Sequence, residues 1–359
     1  MLPSSAPSLV QTHDLFSGKV VVIVPVFNLE RSLEECLDSI LRQSYQNFIL
    51  IAINDGSSDK SLEILEKYRK KDSRIIVINQ ENKGVPNARN AGLNLAEKIN
   101  GVEYISFVDG DDFINADFLN AHIETLEKTQ ADISICGYEK FGNVEKAEKK
   151  HFFLGRYLTQ LDFLSMVFSY GEWKSTYGSG GMVWKHVYRL STIRGSRFYD
   201  DREVVEDELF CVNIARLTKK YAYIPRLTKK YAYIPRNLYY YRISAGTLTK
   251  QNNIGKKLAI GRQFCLDGLE DFHGLSRDII LYSFLMSVRH FVVDGYDISN
   301  LKRYVKYVVM LYRRKMIDWK TAKRFLIFCY MPNLARKMYN VEKCIRKWKN
   351  HVKVFVKMS

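Results

Sequence analysis

The chain has 359 residues, 47% of them hydrophobic and 26% charged, a globular composition that excludes wholesale disorder and leaves room for more than one domain. Its net charge of +16 is concentrated at one end: from Leu301 to Ser359 seventeen Lys and Arg face two acids, Asp318 and Glu342. That stretch carries +15 and the first 300 residues only +1, so the basicity belongs to the tail and not to the chain as a whole.

Residues 1–18 are polar, without the apolar core of a signal peptide, and read as an N-terminal extension. Apolar, β-branched runs follow at Val20–Val26, Phe48–Ile53, Arg74–Ile78 and Tyr104–Val108, separated by helical patterns at Ser32–Arg42, Ser58–Lys70 and Pro86–Glu97. Strands and helices alternating at that spacing predict βαβ units and a parallel sheet covered on both faces. In such sheets ligands gather beyond the carboxyl ends of the strands. Each predicted strand here ends in polar, turn-forming residues: Pro25-Val26-Phe27-Asn28, Asn54-Asp55-Gly56-Ser57-Ser58-Asp59, Asn82-Lys83-Gly84 and Asp109-Gly110-Asp111-Asp112.

From about 120 to 200 the pattern is irregular, with a glycine cluster at Gly178–Gly181. Val205-Glu206-Asp207-Glu208 then opens a helical stretch. The decapeptide RLTKKYAYIP occurs twice in tandem, at Arg216–Pro225 and Arg226–Pro235. Two short copies do not make a solenoid; they read as a local duplication in or beside a loop, with a lengthened β-ribbon as the alternative. Beyond 255 the sequence predicts helices, several amphipathic and basic. The six cysteines are scattered without a CxxC pair, which argues against a zinc site or a disulfide scaffold and suits a reducing compartment. The longest apolar stretch, Ile279–Val293, is broken by Arg289 and His290, so no membrane-spanning helix is expected.

Two clusters carry chemistry. Three carboxylates within Asp109–Asp112 repel one another unless a cation sits among them, and Mg²⁺ or Mn²⁺ takes such oxygen ligands together with substrate phosphates. The plain alternative is an acidic turn before the next helix. Asp55 stands at a strand tip, where a carboxylate can accept hydrogen bonds from a nucleobase imide, while Ser58 or Asp59 can cap the next helix. A phosphoacceptor role for Asp55 lacks the further acids such a site needs, because the first strand ends in Pro25-Val26-Phe27.

Together the strings VVIVPVFN, LEECLDSILRQSYQNF, INDGSSD, NKGVPNARNAGL and FVDGDD resemble the N-terminal half of the family 2 inverting glycosyltransferases, over about residues 19–140. The similarity resumes at Phe198, at Val205–Phe210 and at Tyr239-Tyr240-Tyr241-Arg242. It implies a GT-A fold: an α/β, Rossmann-like, mostly parallel sheet flanked by helices over 19–250, with a nucleotide-binding half (19–115) and an acceptor half (116–250). A helical, basic region follows over 251–359.

The resemblance also implies roles. Pro25, Phe27 and Asn28 line the nucleotide pocket, Asp55 holds the uracil ring, and Arg89 approaches the base or phosphate. Asp109 contacts the ribose, Gly110 belongs to the donor site, Asp111 coordinates Mn²⁺ or Mg²⁺ at the diphosphate, and Asp207 is the catalytic base. Arg242, with Thr247, belongs to a segment that closes over the diphosphate or acceptor. The partners so implied are a UDP-sugar donor and a saccharide or lipid-linked glycan acceptor, in capsule, exopolysaccharide or lipopolysaccharide synthesis. Lys185-His186-Val187-Tyr188 departs from the family's usual Asn-Lys before Leu-Tyr, which leaves acceptor specificity open. The tail interleaves Tyr304, Val308, Leu311 and Tyr312 with Arg303, Lys306, Arg313 and Arg314. That pattern suits an anionic membrane surface touched by residues 301–359 from the cytoplasmic side, or else a helical accessory domain whose basic face is simply solvated; no nucleic-acid motif occurs. Two other classes stand beside the enzyme reading: a nucleotide-sugar binder without turnover, and a membrane-surface interaction protein on the same fold.

Overall fold

A computed structural model of the chain describes residues 18–142, 157–158, 160–168, 182–200, 205–220, 231–243, 265, 276–284 and 305–331. These fall into two compact units, one reaching to residue 200 and including 206–243, the other holding 265, 276–284 and 305–331.

The first unit is built on a nine-stranded sheet, ordered β3-β2-β1-β4-β8-β6-β9-β5, with β7 paired to β9. Strand β1 (Lys19–Val26) is buried at every position after Lys19, as its unbroken Val and Ile run requires of a strand covered on both faces. It pairs in parallel with β2 (Phe48–Asp55) on one side and β4 (Val102–Phe107) on the other, and β2 pairs in parallel with β3 (Ile75–Gln80). The crossovers are α1 (Leu33–Leu41), α2 (Ser61–Lys71) and α3 (Val85–Ala96). Because the chain runs outward from β1 first to one side and then to the other, a crevice opens beyond the carboxyl ends of β1 and β4. The predicted start of α2 at Ser58 moves to Ser61, since Asp59 Oδ1 accepts the Ser61 N–H at 2.9 Å while Asp59 Oδ2 accepts the Glu30 N–H at 2.9 Å.

Helix α3 begins at Gly84, whose φ of +88° is a conformation L side chains rarely adopt. It lies close on the sheet because Gly92 has no side chain. A Cβ there would stand 2.6 Å from Ile23 Cγ2, inside any allowed contact. One helical turn earlier, Arg89 is held over the crevice.

After β5 (Phe113–Ile114) and α4 (Phe118–Thr129) the sheet changes character. β8 (His186–Arg189) enters antiparallel between β4 and β6 (Ile133–Gly142). β9 (Tyr231–Ile243) runs parallel to β6, and β5 and β7 (Tyr157–Leu158) lie antiparallel to it. The β6–β9 register shifts around Gly137, where Ile234 pairs Cys136 and Asn237 is the next partner; Pro235, which has no N–H to give a ladder, falls in that gap. Helices α5 (Gln160–Val167), α6 (Leu190–Ile193) and α7 (Glu206–Lys220) complete the unit. The tandem decapeptide is divided between elements. The first half of its first copy ends α7 and the second half of its second copy begins β9; residues 221–230, between them, lie outside the described residues, as do Gly178–Gly181 and Thr247.

The second unit contains α8 (276–284), α9 (Val305–Arg313) and α10 (Trp319–Tyr330). Asp318 caps α10, accepting the Thr321 N–H at 2.7 Å. Val308, Leu311, Ile317, Ala322 and Phe325 are buried, whereas Tyr312 and Trp319 meet edge-on at 5.7 Å and stay exposed. Among the described residues no helix is long and apolar enough to cross a membrane.

Candidate active site

The loop after β1 interlocks with the loop after β2. Asn28, at φ +54°, donates its N–H to Ser57 Oγ at 3.1 Å and accepts the Ser58 N–H on its own side-chain oxygen at 2.8 Å. Left-handed backbone is tolerated best by Asn among side-chain-bearing residues. Leu29 donates to Ser61 Oγ at 2.8 Å. Phe27 is left 45% exposed at the rim, an apolar face free to meet a ring.

Asp55 is buried at the tip of β2. Its Oδ1 accepts Gln80 Nε2 at 2.7 Å and the Lys83 N–H at 2.9 Å, and its Oδ2 accepts the Gly84 N–H at 2.8 Å. One carboxylate thus shapes the turn that launches α3. A carboxylate offers about four lone-pair positions, so Oδ2 keeps one beyond the Gly84 N–H.

The Asp109–Asp112 turn follows β4, and its residues do different things. Gly110 fits because a Cβ would stand 2.8 Å from Leu29 Cδ1 and 3.0 Å from the Pro25 carbonyl oxygen; the turn therefore lies directly on the end of β1. Tyr239 of β9 ties the turn twice, accepting the Asp109 N–H at 3.1 Å and donating to Asp112 Oδ2 at 2.7 Å. Asp112 is buried and accepts the Arg242 N–H at 2.7 Å. The Arg242 guanidinium donates through Nε to the Asp111 carbonyl at 2.7 Å, reaches Glu35 Oε2 on α1, and lies 4.4 Å above Phe141. The duplication at 216–235 has thus not carried Arg242 away from the turn. Burial and the Asp109 charge push Asp111 up to about 6.

Arg89 joins the two halves. Its side chain is 3% exposed, with NH2 on Asp109 Oδ1 at 2.8 Å and NH1 on Glu206 Oε1 at 3.0 Å and on Asp207 Oδ1. Burial works to lower the Arg89 pKa, but Asp207, Asp109 and Glu206 outweigh it and keep the guanidinium charged. Asp207 opens α7, where a carboxylate also meets the positive end of the helix dipole. Its Oδ2 accepts the Val183 N–H at 3.4 Å. Burial pushes its pKa up, Arg89 pulls it down, and Glu206 and Asp109 push it up again, leaving it at about 7.

Residues 21–188 match the family description "Glycosyl transferase family 2". The chain carries a family 2 glycosyltransferase domain. Over 238 residues, 66% of the chain, it is 34% identical to glycosyltransferase GlyA of Streptococcus pneumoniae serotype 4, of which it spans only 32%. It is 31% identical to the uncharacterized glycosyltransferase EpsJ of Bacillus subtilis over 64% of the chain and 63% of that protein. The chain thus covers less than two thirds of either relative. Residues 1–349 of TarS from S. aureus, solved with UDP-GlcNAc, share the fold at a TM-score of 0.67 and 18% identity, covering 90% of this chain and 92% of that one. A Pyrobaculum calidifontis mannosyltransferase, PcManGT, solved with GDP-Man and Mn²⁺, aligns at a TM-score of 0.51 and 13% identity over 91% of this chain. The family 2 domain therefore has the GT-A architecture that the sequence resemblance implies.

Three residues at this site take no individual role from the sequence: Glu206, which shares with Asp207 the contact to Arg89, Glu35 on α1, and Tyr239 of β9. Trp184 stacks on Tyr239 at 4.2 Å and lies parallel to Tyr241 at 5.5 Å, an aromatic wall along β9 beside the turn.

Proposed function

We propose that the chain is an inverting glycosyltransferase that moves a sugar from a UDP-sugar to a hydroxyl of a saccharide or lipid-linked saccharide. The observation that carries this is the meeting of Asp109 and Asp207 at one buried guanidinium, which sets a carboxylate poised near neutral pH beside the turn expected to hold the donor. A general base works best with a pKa near the working pH. Asp207 takes the acceptor's proton as the acceptor oxygen attacks the anomeric carbon from the face opposite the departing diphosphate. One displacement of that kind inverts the configuration. Asp55, with its remaining lone pair, receives the uracil imide N–H, and Phe27 and Asn28 border the base. The UDP and UDP-GlcNAc bound in the TarS structures support a uridine donor.

Among the described residues no group of three or more His, Cys, Asp or Glu is arranged to hold a metal ion. The residues present fit a different mode, in which Asp111 gives one carboxylate and substrate phosphates complete the shell. Mn²⁺ or Mg²⁺ bound there would supply positive charge to the diphosphate, and the Mn²⁺ beside GDP-Man in PcManGT supports that assignment.

For the pathway, capsule, exopolysaccharide or lipopolysaccharide synthesis at the cytoplasmic face of a membrane is the setting that fits. The support is α9–α10, where exposed Tyr312 and Trp319 sit among exposed Arg313, Lys315, Lys320 and Lys323. Each cation near an anionic bilayer contributes about 1 kcal/mol; residues 332–359 of that basic stretch lie outside the described residues. Replacing Tyr312 and Trp319 by Ala is expected to weaken sedimentation with phosphatidylglycerol vesicles, and unchanged sedimentation argues against this surface.

The test of the reaction is a panel of nucleotide sugars, with Mn²⁺ or Mg²⁺, scored for nucleoside diphosphate release. Metal-dependent release from one UDP-sugar, lost in Asp111→Ala, is the expected result. UDP binding without release from any donor, even with candidate acceptors added, would favour a nucleotide-sugar binder.

A further inference from the structure

Arg89 sits in a shell built to fix the plane of its guanidinium. The guanidinium lies 5.2 Å from the ring centre of Phe198, which stacks face to face on Phe210 of α7 at 4.0 Å and 4°. The next residue, Asn90, clasps the Phe198 backbone from both sides, donating to its carbonyl at 2.9 Å and accepting its N–H at 2.8 Å. Two of the fork's nitrogens are taken by Asp109, Glu206 and Asp207, and Nε has no hydrogen-bond partner among the described residues. With its side chain 3% exposed, and with both NH1 hydrogens and one NH2 hydrogen given to carboxylates, the guanidinium commits its fork to the three acids around it. Such a cation acts on the reaction through the carboxylates it holds.

We propose that Arg89 is a positioning residue of the transfer reaction, registering the Asp207 carboxylate on the acceptor side to Asp109 on the donor side through its planar fork. The inference rests on the transferase reading above and gives Arg89 a task other than touching base or phosphate. A lysine keeps the charge but not the fork, because an ammonium is a point charge that cannot hold two carboxylate groups in one plane. The charged and titratable groups around Asp207 are Arg89 on α3, Asp109 after β4, Glu206 and Cys211 on α7, and Tyr188 on β8. Of these Arg89 supplies the positive charge that draws the carboxylate's proton affinity down.

The experiment compares wild type, Arg89→Lys, the charge-balanced double variant Arg89→Met/Glu206→Gln, and Asp207→Asn in the full chain. Calorimetry with UDP, donor kcat and KM, and kcat against pH are measured for each. Arg89→Lys is expected to bind UDP as wild type does, to lose about 10- to 100-fold in kcat through misplacement of the base, and to keep the acid limb of its pH profile in place. In the double variant that limb moves to higher pH. Wild-type kcat in Arg89→Lys overturns the role, and so does a loss of UDP affinity as large as the loss of kcat. Turnover in Asp207→Asn equal to wild type removes Asp207 as the base, and the positioning role with it, whereas no turnover of any donor by wild type brings down the transferase reading itself. A rate lost in Asp207→Asn but kept in Arg89→Lys overturns the positioning role alone.

Discussion

Replacing Asp55 by Asn tests both what shapes the crevice and what it binds. The carboxylate takes hydrogen bonds at 2.7 and 2.9 Å on Oδ1 and at 2.8 Å on Oδ2. An amide must place its NH2 group at one of those oxygens. At Oδ1 it would face two donors, so it settles at Oδ2 and faces the Gly84 N–H alone. One charge-assisted bond is then lost and two become neutral. Charged hydrogen bonds contribute about 1.5–3 kcal/mol and neutral ones about 0.5–1.5. At mid-range the sum is about 5 kcal/mol, eased because Lys83 and Gly84 are partly open to water. Urea unfolding should therefore show a lower midpoint at unchanged m. The same NH2 group confronts the uracil imide, so UDP affinity should fall at least about tenfold, the equivalent of 1.4 kcal/mol. Stability within about 0.5 kcal/mol of wild type would refute the account of the turn. Lowered stability with normal UDP affinity would refute the contact to the base.

Three other outcomes follow from the same geometry. Gly110→Ala should fold but bind UDP more weakly, since its Cβ meets Leu29 Cδ1 at 2.8 Å and the Pro25 carbonyl at 3.0 Å; an unchanged dissociation constant contradicts the close approach. Tyr239→Phe removes the acceptor of the Asp109 N–H and a donor to Asp112, and should cost about 1–3 kcal/mol in chemical unfolding, with no change counting against the tie. With Asp207 at about 7, the base is unprotonated above that pH and protonated below it. kcat should therefore rise as pH increases through about 7 and level off beyond, and a flat profile across that range contradicts the assignment.

Residues 19–115 were legible because their signals are local. Unbroken Val and Ile runs mark β1 and β2 as doubly covered strands, and Asp55 and Asp109–Asp112 follow their strands directly. Beyond residue 116 the sequence carries no such strand signal. β8 is four residues long and enters antiparallel between β4 and β6, an arrangement set by packing and not by periodicity. The contacts of Arg89 were equally hidden, because its partners Glu206 and Asp207 lie 117 and 118 residues away. The family resemblance named Arg89 and Asp207 as site residues, yet gave no sign that they touch. Spacing likewise could not pair Tyr239 with Asp112, 127 residues apart.

The central claim, that Asp207 is the base of a sugar transfer, is tested most directly by Asp207→Asn. Asn keeps the shape of the side chain and removes its ability to take a proton. UDP affinity should match wild type while transfer from the active donor falls by about 10²–10⁴-fold, the contribution of a general base. A transfer rate close to wild type, or a loss of UDP affinity as large as the loss of rate, would contradict the account.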